Sequence, residues 1–263
     1  MPTALITGGT RGIGLGIAGA LARAGYDLVL GYNADADAAA RAEQQLEALG
    51  VRVECVGGDI AEQGTMARLF AAVHEHFGGQ LQAFVHNAGL YVGLTSAPGP
   101  TTPNPMGGDF EAVWEYYQRV YPRAFKRGLQ AALECEGLRH VVAISSPGCN
   151  ATQPPQTGYE DPGQAKAAVE FLVRIHAKLL APRGINVNAV IPGFVRTDAW
   201  DALHTKAGMP REAIEGWMLK SSPAQRWMEP SEIGEVVAFL CSSKAAMLTG
   251  VALPVDGGLH LVG

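Results

Sequence analysis

A chain of 263 residues, 48% of them hydrophobic, is long enough to bury about 70–75% of its unfolded surface in one or two domains. Its net charge of −5 lacks the basic footprint that binding to phosphate backbones requires. No apolar run approaches the ~20 residues that span a bilayer, and no charged, cleavable leader precedes the first apolar run. Neither nucleic acid nor membrane is therefore expected as a partner, and a cytoplasmic location is. The four cysteines (Cys55, Cys135, Cys149, Cys241) are scattered without a Cys-x-x-Cys pair, so reduced thiols are expected. The seven histidines do not cluster either, so no metal site is expected.

In chain order, short apolar runs alternate with long amphipathic ones. Strands are predicted at 3–7, 27–32, 51–56, 82–86, 139–145, 185–190 and 251–255. Helices are predicted at about 13–24, 35–49, 62–78, 109–135, 162–180 and 231–242. This alternation of β and α predicts an α/β fold, a single doubly wound domain with a central parallel sheet of about seven strands flanked by helices. Two segments break the rhythm. Residues 93–108, with Pro98, Pro100, Pro103, Pro105 and four glycines, read as a loop; residues 194–228 are a long excursion before the last helix. Both follow strand C-termini, where open α/β sheets bind ligands, so both are expected to wall a substrate.

The first strand runs directly into Thr7-Gly8-Gly9-Thr10-Arg11-Gly12-Ile13-Gly14 and then a helix. Glycines there let the backbone approach an anion, and the helix N-terminus turns its N–H groups and dipole toward it, as in a dinucleotide phosphate cradle. Tight turns and helix–strand packing also select glycine, so the run alone does not decide.

More marks follow. They are Gly58-Asp59-Ile60 after the third strand, Asn87-Ala88-Gly89 after the fourth, Ile144-Ser145-Ser146 ending the fifth and Lys166-Ala167-Ala168 on the next helix. Asn188-x3-Pro192-Gly193 and Val255-Asp256-Gly257-Gly258 complete the set. In this order and spacing, over essentially its whole length, the chain resembles the short-chain dehydrogenase/reductase family. The resemblance implies one Rossmann-type domain over 1–263 and a nicotinamide cofactor. It also implies hydride transfer involving a carbonyl, alcohol or activated alkene of a small molecule, and a homotetramer or homodimer built on two long helices.

Under that resemblance the cofactor residues are Gly8, Thr10, Arg11, Gly12, Ile13, Gly14, Asn33, Asp59, Ile60, Asn87, Ala88, Gly89, Lys166, Pro192, Gly193 and Thr197. Asp59 can accept from the adenine amine, Asn87 and Gly89 border the ribose, and Pro192-Gly193 and Thr197 lie against the nicotinamide. The alternatives are plain turn chemistry and a solvated Asp59. NAD-preferring relatives end the second strand with an acidic side chain, whereas this chain reads Gly31-Tyr32-Asn33. With no carboxylate to repel a 2′-phosphate, and with Arg11 and Asn33 to bind it, NADP(H) is expected ahead of NAD(H).

The expected catalytic set is Tyr159, Lys166, Ser145 and Ser146. Most relatives carry Tyr-x3-Lys, but Pro162 stands four before Lys166, and the nearest phenol upstream, Tyr159, makes the pattern Tyr-x6-Lys. That is the spacing of the enoyl-acyl-carrier-protein reductase branch. Asp161, Pro162 and Gln164 read as N-cap, N1 and capping-box positions, placing Tyr159 just ahead of the helix. Tyr159 would donate to oxygen charge that develops on hydride transfer, while Lys166 would hold the ribose and lower the phenol pKa. Ser145 ranks slightly ahead of Ser146, because it stands three before Gly148. Tyr121 takes the place of a relay asparagine and is read first as a packing residue, with a reserve role as phenol if Tyr159 points away, and Cys149 stands where enoyl reductases tend to have an aromatic.

The wall segments carry Trp200, Leu203, Met209, Trp217, Met218 and Trp227. Ile214, Trp217 and Met218 share a helical face suited to a partly apolar ligand, or to core or oligomer contact, and Arg196 could meet an anionic tail. Three readings stand: an NADP(H)-dependent carbonyl or enoyl reductase, a non-redox dehydratase or isomerase on the same fold, and a catalytically silent nucleotide-binding protein.

Overall fold

The computed structural model describes residues 1–89, 110–155, 159–198 and 210–262, with Phe110 and Ile214 described through their backbone alone. Seven strands form one parallel sheet: β1 (Thr3–Thr7), β2 (Asp27–Tyr32), β3 (Val53–Gly57), β4 (Ala83–His86), β5 (His140–Ile144), β6 (Asn186–Pro192) and β7 (Ala252–Val255). The spatial order is β3-β2-β1-β4-β5-β6-β7. The chain steps outward from β1 to β3, then returns to the other side of β1 at β4, and the resulting switch point lies where β1 and β4 end side by side, with Thr7 beside His86.

Alternation along the strands supplies both faces. Leu5, Val29, Phe84, Val141 and Val187 point to one apolar cluster, which α3 (Gln63–Phe77), α4 (Phe110–Gln118), α5 (Ala124–Ala132) and α6 (Glu160–Leu180) cover. Ala4, Ile6, Leu28, Leu30, Val85, Val142 and Val190 point to the other, covered by α1 (Gly12–Arg23) and α8 (Pro230–Leu240). Strands buried on both faces read as continuous apolar runs, which is why they stand out in the sequence. Where helices α1 and α8 meet, Gly16 and Gly234 leave no room for a side chain of their own. A Cβ on Gly16 would strike the Pro230 carbonyl, and one on Gly234 would strike the carbonyl of Gly16. Among the described residues no helix is long and apolar enough to cross a membrane.

Three expectations are corrected. The predicted helix 109–135 is divided: a π-helical turn, Arg119–Arg123, separates α4 from α5. Pro122 has no N–H for the α-helical ladder, and the chain widens around it, the Ala124 N–H reaching the Arg119 carbonyl. The helix expected at 162 begins at Glu160, with Tyr159 itself in the N-cap position. Proline is tolerated throughout a first turn, where N–H groups lack helical partners anyway, so Pro162 does not mark the start. Gly163 N–H donates to the Tyr159 carbonyl at 2.8 Å, and Gln164 donates to the Asp161 carbonyl at 2.9 Å rather than closing a capping box. Finally, part of the 194–228 excursion is helical, as α7 (Arg211–Ser221). The remaining helix, α2 (Ala36–Glu47), starts on an Asp35 side chain that accepts from the Ala38 N–H.

Candidate active site

Gly8 and Gly12 adopt φ of +66° and +52°, and a Cβ on Gly14 would collide with the Gly8 carbonyl. The turn is therefore closed by backbone against backbone. Arg11 occupies the N-cap position of α1 without a side-chain cap bond, and the first turn carries no acidic residue. The leading N–H groups of α1 thus lack side-chain partners and meet the requirement for a phosphate cradle. Thr10 is buried in the turn and Ile13 packs partly against the α1 face of the core. Arg11 and Asn33 are both exposed at the rim.

Of the remaining cofactor candidates, Asn87, Ala88 and Thr197 lie against this turn. Asn87 donates its side-chain N–H groups to the carbonyls of Thr7 (3.1 Å) and Gly8 (2.9 Å), and the backbone N–H groups of Asn87 and Ala88 both donate to the Thr7 hydroxyl at 3.0 Å. Asn87 thereby fastens β4 to the glycine turn. A Cβ on Gly89 would meet the Tyr121 hydroxyl at 3.0 Å, and one on Gly12 would rest on Thr197 at 3.3 Å. Gly193 donates its N–H to Val255 O at 3.0 Å and lies too close to Asp256 for any side chain. That contact joins Pro192-Gly193 to Val255-Asp256-Gly257-Gly258. Asp59 accepts from Ala61 N–H (2.9 Å) and from the Tyr116 hydroxyl (3.4 Å), while the neighbouring Ile60 packs on the core. Tyr116 carries no mark in the sequence that would have tied it to Asp59.

At the end of β5 the two serines part company. The Ser146 hydroxyl lies 2.9 Å from the Tyr159 hydroxyl. The Ser145 side chain turns the other way and donates to Glu170, which also accepts from Asn150 Nδ2 at 3.2 Å. The strand's alternation sets this split, since consecutive side chains leave on opposite sides. It reverses the order in which the spacing to Gly148 placed them: Ser146, not Ser145, is brought to the phenol.

Lys166 is buried, with 8% of its surface accessible. Its Nζ donates to the carbonyls of Ile144 (3.1 Å) and Ser145 (3.2 Å) and sits 4.8 Å over the ring of Tyr121. Burial lowers its pKa to about 8, against the pull of Cys149 and Glu170 toward the charged form. The same burial, together with the Lys166 charge, holds His86 down at about 3 and hence neutral, and burial pushes the Cys149 thiol up to about 11. Tyr121 lies in the π turn and stacks flat on Tyr117, ring centroids 5.9 Å apart. It serves as a platform under the ammonium, a role more specific than simple packing.

Glu170, Asn150 and His86 were not singled out in the sequence. Glu170 had one readable signal, its i+4 spacing from Lys166 on the same helix face. Of the expected substrate walls, 93–108 lies outside the described residues, as do Trp200, Leu203 and Met209 and the side chain of Ile214. The α7 stripe divides: Met218 is fully buried, whereas Trp217 is exposed and edge-on to Phe194 at 5.2 Å. Arg196 lies 3.4 Å from Glu229 and over the ring of Trp227.

A family model described as enoyl-(acyl carrier protein) reductase matches residues 8–260. The 3-oxoacyl-[acyl-carrier-protein] reductase FabG of Staphylococcus epidermidis is 30% identical over 261 residues, covering 98% of this chain and 99% of that protein. The hydroxynaphthalene reductase-like protein Arp2 of Metarhizium brunneum is 32% identical over 265 residues, covering 97% and 93%. A solved short chain dehydrogenase from Burkholderia cenocepacia, in complex with NADP, superimposes with a TM-score of 0.80 at 29% identity, covering 98% of this chain and 97% of the other. The match runs from the glycine turn through the β5–α6 site to the Val255-Asp256-Gly257-Gly258 end: the chain belongs to the short-chain dehydrogenase/reductase family of oxidoreductases.

Proposed function

We propose that this oxidoreductase uses NADPH to reduce a small, uncharged or partly apolar carbonyl compound, with Tyr159 as the proton donor. The observation that carries the reading is the 2.9 Å pairing of the Tyr159 and Ser146 hydroxyls. The phenol lost from its usual place, where Pro162 now stands, is replaced from one residue ahead of α6. NADPH, when bound, supplies the hydride. Tyr159 and Ser146 present two hydroxyls to one oxygen, which suits charge that develops on a carbonyl. Lys166, charged below about pH 8, holds ribose hydroxyls and favours proton release from the phenol. Gly8, Thr10, Gly12, Ile13 and Gly14 take the pyrophosphate, Asn33 and Arg11 the 2′-phosphate, and Asp59 and Ile60 the adenine. Asn87, Ala88 and Gly89 border the ribose, and Pro192, Gly193 and Thr197 the nicotinamide. NAD(H) remains the weaker alternative.

The reductase names of the relatives and the NADP-bound neighbour support this assignment. Reduction of an activated alkene is the second reading, favoured by the Tyr-x6-Lys spacing and the family model. We place the protein in the cytoplasm as a homodimer or homotetramer, since α6 exposes Phe171, Ile175 and Leu179 along one stripe, a face that a second copy would cover. The test is NADPH consumption with 3-oxoacyl thioesters, aryl ketones and enoyl thioesters, monitored by product analysis. Turnover of the ketones, abolished in Tyr159→Phe, is the expected result. Turnover of enoyl substrates alone would install the second reading. NADPH binding with no turnover would leave a silent nucleotide-binding protein, and cofactor-independent conversion would point to a dehydratase or isomerase.

A further inference from the structure

We propose that Glu170 is a positioning residue of this site: a buried anion that clamps the β5–α6 turn at Ser145 and at Asn150, keeping Ser146 opposite Tyr159 and the Ser145 carbonyl under Lys166. The inference rests on the oxidoreductase reading of the same site. Glu170 lies one helical turn beyond Lys166 and is buried. A carboxylate taken out of water is costly unless both oxygens are satisfied. Here each oxygen has its own donor, the Ser145 hydroxyl on one and the Asn150 side-chain amide on the other, and no ion pair among the described residues includes Glu170.

The two anchors bracket Ser146. The far one is itself braced: Asn150 Oδ1 accepts from Thr152 N–H (3.0 Å) and Oγ1 (2.6 Å), and the Gln153 side-chain oxygen accepts from Gly148 N–H and Asn150 Nδ2, both at 3.3 Å. The turn that carries Ser146 is therefore held to α6 by Glu170 at its far end and by Glu170 and Lys166 together at its near end. At the near anchor, Ser145 links the charges, since its hydroxyl donates to Glu170 while its carbonyl accepts from Lys166. The titratable groups that face Lys166 are Glu170 from α6, Cys149 from the turn, His86 from β4 and Tyr121 from the π turn. Of these, Glu170 and Cys149 favour the ammonium, and Cys149 is held as a thiol by its own burial.

The test compares Glu170→Gln and Asn150→Ala in the full-length protein by amide hydrogen exchange and by the pH dependence of NADPH binding and turnover. Glutamine keeps the volume but loses the charge and one acceptor. We expect exchange at residues 146–153 to rise about tenfold, as for one lost hydrogen bond, with β1 and α1 unchanged. We also expect kcat to fall more than KM rises, and the alkaline limb to move to lower pH, because Lys166 loses its helper anion. Asn150→Ala removes one anchor without removing charge, so it should speed exchange in the same amides and leave the limb in place. Unchanged exchange together with an unmoved limb in Glu170→Gln would overturn the proposal. Should that variant fail to fold, unchanged exchange in Asn150→Ala would overturn it instead. A protein that reduces no substrate removes the reductase reading alone, because exchange and the pH dependence of NADPH binding still decide the clamp.

Discussion

The two ends of the site are built from different materials. Around β1, the proposed cofactor half is closed mainly by backbone: glycines at positive φ, a carbonyl where a Gly14 side chain would be, and the Thr7 and Gly8 carbonyls that the Asn87 side-chain amide holds. Around β5, the proposed catalytic half is closed by side chains: Ser146 on Tyr159, Ser145 on Glu170, Lys166 over Tyr121. Backbone closure demands specific residues at fixed spacing, whereas side-chain closure needs only that hydroxyl, amine and carboxylate converge, from whatever positions. Under the proposed function, the first half would therefore tolerate little change in its sequence, while the second could take its phenol from more than one place.

The sharpest way to break this contrast is Tyr159→Phe. It should lower turnover by at least about a hundredfold and leave NADPH affinity nearly intact, because the phenol acts on transition-state charge. Stopped-flow turnover and fluorescence titration separate the two terms; loss of both would tie the phenol to the cofactor half. Ser146→Ala should follow it in direction, and Ser145→Ala, which loosens one anchor of the turn without removing the hydroxyl opposite the phenol, should lower turnover less.

Next in size is Arg11→Ala, which should weaken NADPH by about 1.5–3 kcal/mol, roughly 13- to 160-fold, and NADH little, since only NADPH carries the charge that Arg11 would meet. Equal affinities for the two cofactors in the unmodified protein would remove the 2′-phosphate assignment.

The pH dependence should distinguish chemistry from folding. Lys166 is an ammonium below about 8 and neutral above, so turnover should fall as pH rises through that value. The same group affects stability in the opposite sense. Between about 8 and the ordinary 10.5 the unfolded chain holds a proton that the folded one has lost, so its contribution to stability rises with pH. Activity lost at pH 9 without a lower melting temperature is the expected pattern; parallel loss would point to unfolding.

The smallest expected effect is at Tyr121. Tyr121→Phe keeps the ring beneath Lys166 and should be near normal. Tyr121→Leu removes a cation–π contact of about 0.5–2 kcal/mol and should move the alkaline limb down by about 0.4–1.5 pH units. If Tyr121→Phe abolished turnover while Tyr159→Phe did not, the π-turn phenol would be the donor.

Strand positions were legible to within a residue or two because the inner strands β1, β4 and β5, buried on both faces, are written as nearly unbroken apolar runs, and the partly buried edge strands β3 and β7 still stand out as short apolar stretches between helices. The glycine turn was legible for the reason given above. Pro122 was visible, but only the structure shows that the chain absorbs it in a π turn and continues, because tertiary packing around Tyr117 and Phe125 outweighs one missing hydrogen bond. The start of α6 was misplaced because a first-turn proline is equally comfortable at more than one position. Ser145 and Ser146 could not be ordered by spacing to a glycine, since which side chain faces the phenol depends on the pleat at the end of β5. Glu170 was hidden in plain view among helix-face residues, its meaning dependent on a loop partner twenty residues earlier, at Asn150.

For protein engineering, the seam between α1 and α8 inverts a familiar rule. Replacing a glycine inside a helix with alanine ordinarily gains up to about 1 kcal/mol, by restricting the unfolded chain and improving propensity. At Gly16 and Gly234 the new methyl would land on a carbonyl of the opposing helix, so the gain turns into a loss that no single compensating change can recover. Gly216 on α7, where a Cβ meets nothing within 4 Å, is the open position instead. A stabilised version of this protein is to be sought on α7, with the glycine seam left untouched.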